Sequence, residues 1–283
     1  MATDSAVFSN VRPQKQSTWF LPREHGATAM LFTPIVCAAI LLRGWRWSEL
    51  ATVTAAFAAL AAKDPAVVLA RQRFVWKQWH AETAPAIRWF AGWIVLLVVS
   101  GIVLLATWPF TATVSLGVGV AAFSVLAIAI NVKNRQRSTL FQIVSAAALT
   151  SSSLATSLSA TGSIAPWCWG LWLLLALQAT AGILVVHARL DARIALRSTA
   201  STRENYRRAA QIFLVVLVCA AGVAIVFHRG FIALALAVAT LGYAYDLHRQ
   251  RSAEALQLPL KSVGLQALAL SSLYAILLIV GLW

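Results

Sequence analysis

Apolar residues gather in nine runs, near residues 27–42, 49–70, 87–107, 111–131, 139–160, 167–187, 209–227, 231–247 and 263–283, joined by short polar connections. A hydrocarbon layer of about 30 Å takes about 20 residues of helix, because each residue rises ~1.5 Å. The pattern therefore predicts an all-α fold: a polytopic transmembrane helical bundle of about nine spans.

The polar connections alternate in charge. Nineteen of the 23 Lys and Arg fall in the N-terminal segment and the even-numbered loops, only Arg43, Arg46 and Arg229 fall in the odd-numbered ones, and Lys63 lies within the second span. Cationic residues are retained on the cytoplasmic side during insertion, so the bias predicts an N-terminus inside and Trp283 outside. Tryptophan supplies a second ruler, because indole prefers the headgroup region. Trp45, Trp47, Trp108, Trp167, Trp169 and Trp283 mark the expected outer boundary, and Trp19, Trp76, Trp79 and Trp89 the inner one.

With 60% hydrophobic and 11% charged residues, the chain is excluded from the ordinary soluble class. Its net charge of +14 sits in short loops and forms no separate basic domain, so nucleic acid is not an expected partner. Cys37, Cys168 and Cys219 are scattered among separate spans and suggest neither disulfides nor a metal site. Residues 1–18 are polar, with no apolar stretch leading to a cleavage site, and are expected to be a disordered cytoplasmic tail. Residues 19–283 are expected to form a single transmembrane domain. No cofactor is indicated: the chain has no phosphate-cradling glycine loop, metal-ligand cluster or haem-attachment motif.

The entry to the first span, Leu21-Pro22-Arg23-Glu24-His25-Gly26-Ala27-Thr28-Ala29-Met30, places a guanidinium and an imidazole at lipid-phosphate depth. It serves either as an interfacial anchor or as part of an inner-face anion site formed by Arg23 and His25. The Pro-Arg-Glu-His-Gly-Ala-x-Ala-Met run resembles the opening motif of the YwiC-like family of bacterial integral membrane proteins, although Thr28 stands where that pattern usually has Trp. The likeness extends to Lys133-Asn134-Arg135-Gln136-Arg137-Ser138 and to Val186-His187-Ala188-Arg189. It implies a multi-pass protein of the bacterial cytoplasmic membrane and brings no residue role with it.

Ionisable residues at membrane depth are costly unless paired, hydrated or turned inward. Lys63-Asp64-Pro65 interrupts the second span, and Pro65 would free the carbonyl of Ala61. Lys63 then snorkels to the inner interface, or the span ends near Ala62 with residues 63–70 continuing as a surface helix, or Lys63 and Asp64 line a functional cavity. In the sixth span, Gln178, Gly182, Arg189 and Arg193 share a stripe at 100° per residue, whereas His187 and Asp191 form an i, i+4 pair elsewhere on the helix. A guanidinium fork matches phosphate oxygens, so Arg189 and Arg193, with Lys133 and Arg135 after the fourth span, are expected to contact an anionic headgroup. Asn131, Gln142, Tyr243, Tyr245 and Asp246 could join the same inner mouth. The hydroxyl-rich fifth span, from Thr150 to Ser159, reads first as a close-packing surface.

Nine spans with polar chemistry at the inner ends of the second and sixth look like the UbiA-type intramembrane prenyltransferases. The likeness implies an isoprenoid-diphosphate site. Those enzymes carry aspartate-rich motifs at both places, and this chain offers a single Asp64 and a single Asp191, too few carboxylates for a two-metal clamp. Three readings follow: a protein binding an anionic-headed membrane lipid or isoprenoid, with or without altered catalysis; a small-solute or ion transporter using Lys63, Asp64 and the hydroxylated span; or an assembly partner in the membrane.

Overall fold

The computed structural model describes residues 25–132, 138–197 and 205–283, and among these there is no strand. The helices in chain order are α1 (His25–Leu42), α2 (Trp47–Ala70), α3 (Thr83–Thr107), α4 (Phe110–Val132), α5 (Thr139–Thr150) and α6 (Ser152–Thr161). They are followed by α7 (Pro166–Arg197), α8 (Asn205–Val226), α9 (Gly230–Arg249), α10 (Ala253–Gln257) and α11 (Leu260–Leu282). Among the described residues, eight helical stretches are long and apolar enough to cross a membrane, and a ninth, Gly26–Leu42, is a shorter apolar helix. The expected spans thus correspond to helices in the same order, eight of full length. The expected disordered tail, and with it Arg23, Lys133 and Arg135, lies outside the described residues, as does the side chain of His25.

Two spans depart from the pattern read in the sequence. The second does not end at Ala62: α2 runs unbroken through Lys63, Asp64 and Pro65 and continues into one π-helical turn, Arg71–Trp76. One missing N–H at Pro65 costs a single ladder bond, and neighbouring apolar packing keeps the helix intact, since Pro65, Ala66 and Val67 are all buried. The fifth, expected to be continuous, breaks at Ser151. There the Thr150 hydroxyl donates to the carbonyl of Ala146 at 2.9 Å, the Ser151 hydroxyl donates to that of Ala148 at 2.7 Å, and the Trp172 indole N–H donates to that of Ala147 at 2.9 Å. Side chains that take successive carbonyls bend a helix, and α5 ends where they do.

The helix α7 is the hub. It packs against α1, α5, α6, α8, α9, α10 and α11, and the main core lies around it. Ile232, Leu236, Tyr274 and Leu278 fill that core together with Leu171, Leu175 and Leu217. The helices α2, α3 and α4 form a flanking layer attached through α6. The hydroxyls of α6 are built into this seam: Ser152 donates to the carbonyl of Leu31 at 2.9 Å, and Ser48 donates to that of Ser159 at 2.7 Å. Small hydroxylated residues let helix backbones approach closely, which is the close-packing role. By contrast, α3 and α4 bury few side chains and expose Val95, Val98, Ile102, Val118 and Val125, an apolar surface suited to hydrocarbon.

Trp108 does not sit at an exposed boundary. It caps α3 ahead of Pro109 and turns inward against Ala51 and Leu104, buried at 5% exposure. At the same end of the bundle, the Arg43 guanidinium lies 4.2 Å over the ring of Trp283, tying the α1 end to the α11 end.

Close packing makes one glycine indispensable. A Cβ added at Gly281 would lie 3.0 Å from the backbone nitrogen of Ile232 and 3.1 Å from Cβ of Phe231. Backbone cannot yield as a side chain does, so Gly281→Leu should destabilise the α9–α11 pair by about 1–3 kcal/mol. Gly222→Leu, on the exposed face of α8 with nothing within 4 Å, should change the apparent melting temperature little. Thermal unfolding followed by tryptophan fluorescence compares the two.

Candidate functional site

The polar chemistry expected to form a single inner mouth separates into two groups. The first is built along one stripe of α7. The Gln178 amide donates to the Tyr243 hydroxyl at 2.7 Å and to the Ser271 hydroxyl at 2.8 Å, joining α7 to α9 and α11. Gly182 lets Tyr243 approach, since a Cβ there would meet its hydroxyl at 3.0 Å. Two turns further on, Arg189, only 3% exposed, pairs with Asp246 at 3.3 Å and donates to the carbonyl of Ala255 at 2.5 Å. Arg193 donates through Nε to the carbonyl of Leu256 at 2.5 Å and through Nη2 to that of Leu258. Gln250, itself buried, donates to Asp246 and to the carbonyl of Val185.

The stripe Gln178–Gly182–Arg189–Arg193 therefore does face one place, as its spacing predicts. What it meets there is protein. The short helix α10 has carbonyls at its end with no helical partner, and two guanidinium forks satisfy three of them. In this conformation the guanidinium groups of Arg189 and Arg193 are directed at Asp246 and the α10 carbonyls, and of the Arg189 nitrogens Nε is buried without a partner among the described residues. Sequence spacing gave the direction of the arginines. It gave no sign of α10, because five residues of Ala-Glu-Ala-Leu-Gln carry no membrane-length signal.

His187 and Asp191 lie elsewhere on α7, as their 200° offset from the arginines requires. The His187 Nε2 is 3.0 Å from Oε1 of Gln142 on α5, and its ring stacks on Tyr206 of α8 at 5.1 Å. Gln142 thus reaches His187 instead of the arginine group, while Oδ2 of Asp191 is buried without a hydrogen-bond partner. Lys63 and Asp64 are half-buried within α2, on a different helix from either α7 group. Among the described residues no three His, Cys, Asp or Glu side chains converge where they could hold a metal ion.

The second group lies at the junction of α2, α3 and α4. Arg71 donates to the carbonyl of Asn131 at 2.8 Å, which ties the end of α2 to the end of α4. Asn131 is buried and belongs here, apart from the α7 arginines. Next to it the π turn ends at Lys77, whose φ of 53° is left-handed, an uncommon conformation for a residue with a side chain. This turn and the irregular segment leading to α3 border an open hollow of about 370 Å³ lined by Gln72, Arg73, Phe74, Lys77 and Trp79. The chain signal was present in Arg71-Gln-Arg-Phe-Val-Trp-Lys77, cations alternating with aromatics, but it reads equally as ordinary interfacial anchoring. Only the π turn, which changes the facing of each side chain, brings the five together.

The fold and these polar groups define a polytopic, all-helical membrane protein. Residues 21–157, a little under half of the chain, match the family model described as YwiC-like protein, so the N-terminal part of this chain is YwiC-like. The match takes in the entry run and the basic turn after α4 and ends within α6, short of Val186–Arg189. Neither curated proteins nor solved structures yield a match, and the likeness to UbiA-type prenyltransferases rests on sequence layout alone.

Proposed function

We propose that this protein binds an anionic-headed lipid or isoprenoid at the cytoplasmic end of its bundle, in a bacterial inner membrane, with the N-terminus inside and the C-terminus outside. The observation that carries the reading is the gathering of cations at one end. Arg71, Arg73 and Lys77 close α2, Arg189 and Arg193 close α7, Arg207 and Arg208 open α8, and Arg249 and Arg251 close α9, against Arg43, Arg46 and Arg229 at the other end. Insertion sorts such residues toward the cytoplasm, where each is worth about 1 kcal/mol against an anionic leaflet. Asp64 and Asp191 stand on separate helices and offer no paired carboxylates, so the reading does not include a two-metal clamp.

Two measurements test it. Native mass spectrometry of the purified protein should show phosphatidylglycerol or an isoprenoid phosphate retained in preference to phosphatidylcholine; equal retention of the neutral lipid removes the reading. A reporter fused after Trp283 should be exposed on the outer face, and a cytoplasmic reporter would invert the proposed sidedness.

A further inference from the structure

Deepening that reading, the geometry points to the hollow at the α2–α3 turn as a seat for the phosphate headgroup of an anionic lipid. Gln72 is the central observation. It is 1% exposed, lines the hollow, and its Oε1 lies against the Thr83 hydroxyl, which is also 2.7 Å from the carbonyl of His80. Its Nε2 has no partner among the described residues. A buried amide N–H₂ without an acceptor costs on the order of 1–3 kcal/mol, a cost relieved by an oxygen placed in the hollow.

The rest of the lining says what that oxygen belongs to. Arg73 and Lys77 are exposed cations, so the acceptor that suits them is an anion, and the guanidinium matches two oxygens of a phosphate. The left-handed Lys77 closes the π turn at the end of α2, a common way for a helix to stop. The walls are Phe74, 73% exposed, and Trp79, 62% exposed, and these rings have no use for a free inorganic ion. They lie where α2 ends and α3 begins, and α3 continues as an apolar face through Ile87, Val95 and Val98. A phosphate held by Gln72, Arg73 and Lys77 would have its acyl chains against that face, with the aromatic rings at headgroup depth.

The test is retention of phosphatidylglycerol by the full-length protein in native mass spectrometry, with phosphatidylcholine as the neutral reference. Arg73→Gln with Lys77→Gln should lower retention of phosphatidylglycerol roughly tenfold or more, from about 1 kcal/mol per cation. The same number of charges removed at the opposite end of the bundle, by Arg46→Gln with Arg229→Gln, should change it less than about twofold. Gln72→Leu leaves every cation in place and should still reduce retention several-fold. Gln72→Glu keeps the size and the Thr83 contact, replaces the donor with an anionic oxygen, and should reduce it further; unchanged melting temperature certifies its fold.

An equal loss in the Arg46 and Arg229 pair, or full retention in both Gln72 variants, overturns the assignment in favour of general adsorption. Displacement of the lipid by millimolar inorganic phosphate makes the hollow a free-phosphate site and overturns the lipid assignment. A wild-type protein without preference for phosphatidylglycerol sinks the broader proposal, whereas wild-type preference that survives every variant at the α2–α3 turn sinks this site alone.

Discussion

Arg189→Ala will lower the apparent melting temperature of the detergent-purified protein by roughly 5–10 °C, the equivalent of about 2–3 kcal/mol for a chain of this size. The full cost of orphaning one partner of a buried pair is larger, near 3–5 kcal/mol, but Asp246 is 27% exposed and can be partly rehydrated. Two losses add. Asp246 keeps only its hydrogen bond from Gln250, and the carbonyl of Ala255 loses its donor at the end of α10. Asp246→Asn should cost less than half as much, because the amide can still accept from Arg189. A double-mutant cycle between the two positions should return a coupling of about 1 kcal/mol or more. If Arg189→Ala unfolds at the wild-type temperature, the arginine is not anchoring α10, and its availability to a headgroup would be restored.

Tyr274→Ala should be comparably severe, at about 3 kcal/mol or more. Tyr274 is fully buried and is the largest such side chain, packed within the α7–α9–α11 core. Inside a membrane the loss is mainly of dispersion contacts, since lipid is as apolar as the core it would replace. Tyr274→Phe separates the hydroxyl from the ring. Its hydrogen bond to the carbonyl of Leu174 measures 3.0 Å, and interhelical bonds of this kind average about 0.6 kcal/mol, so the variant should melt within about 2 °C of wild type. A phenylalanine variant as unstable as the alanine one would show that the polar contact, and not packing volume, holds these three helices together.

The α7 stripe shows how far periodicity carries. Gln178, Gly182, Arg189 and Arg193 do face one way, because eleven residues at 100° bring a helix back to within about 20° of its starting azimuth. Their partners were beyond reach of that argument, since Tyr243, Ser271 and the α10 carbonyls come from segments 63 to 93 residues away. Asn131 and Gln142 illustrate the same limit. Both were legible as inner-end polar residues, yet one joins Arg71 and the other His187, depending on which helices happen to be neighbours.

The order of the apolar helices and the charge asymmetry between the two ends were determined by the sequence itself. Each depends on transfer of local segments from water to hydrocarbon, a property summed over about 20 consecutive residues. The capture of two arginines by a short helix, the break at Ser151, the inward turn of Trp108 and the enclosure of Gln72 were decided only by the tertiary structure. These are choices among donors, acceptors and volumes that meet through space, which the summed hydropathy of a window does not specify.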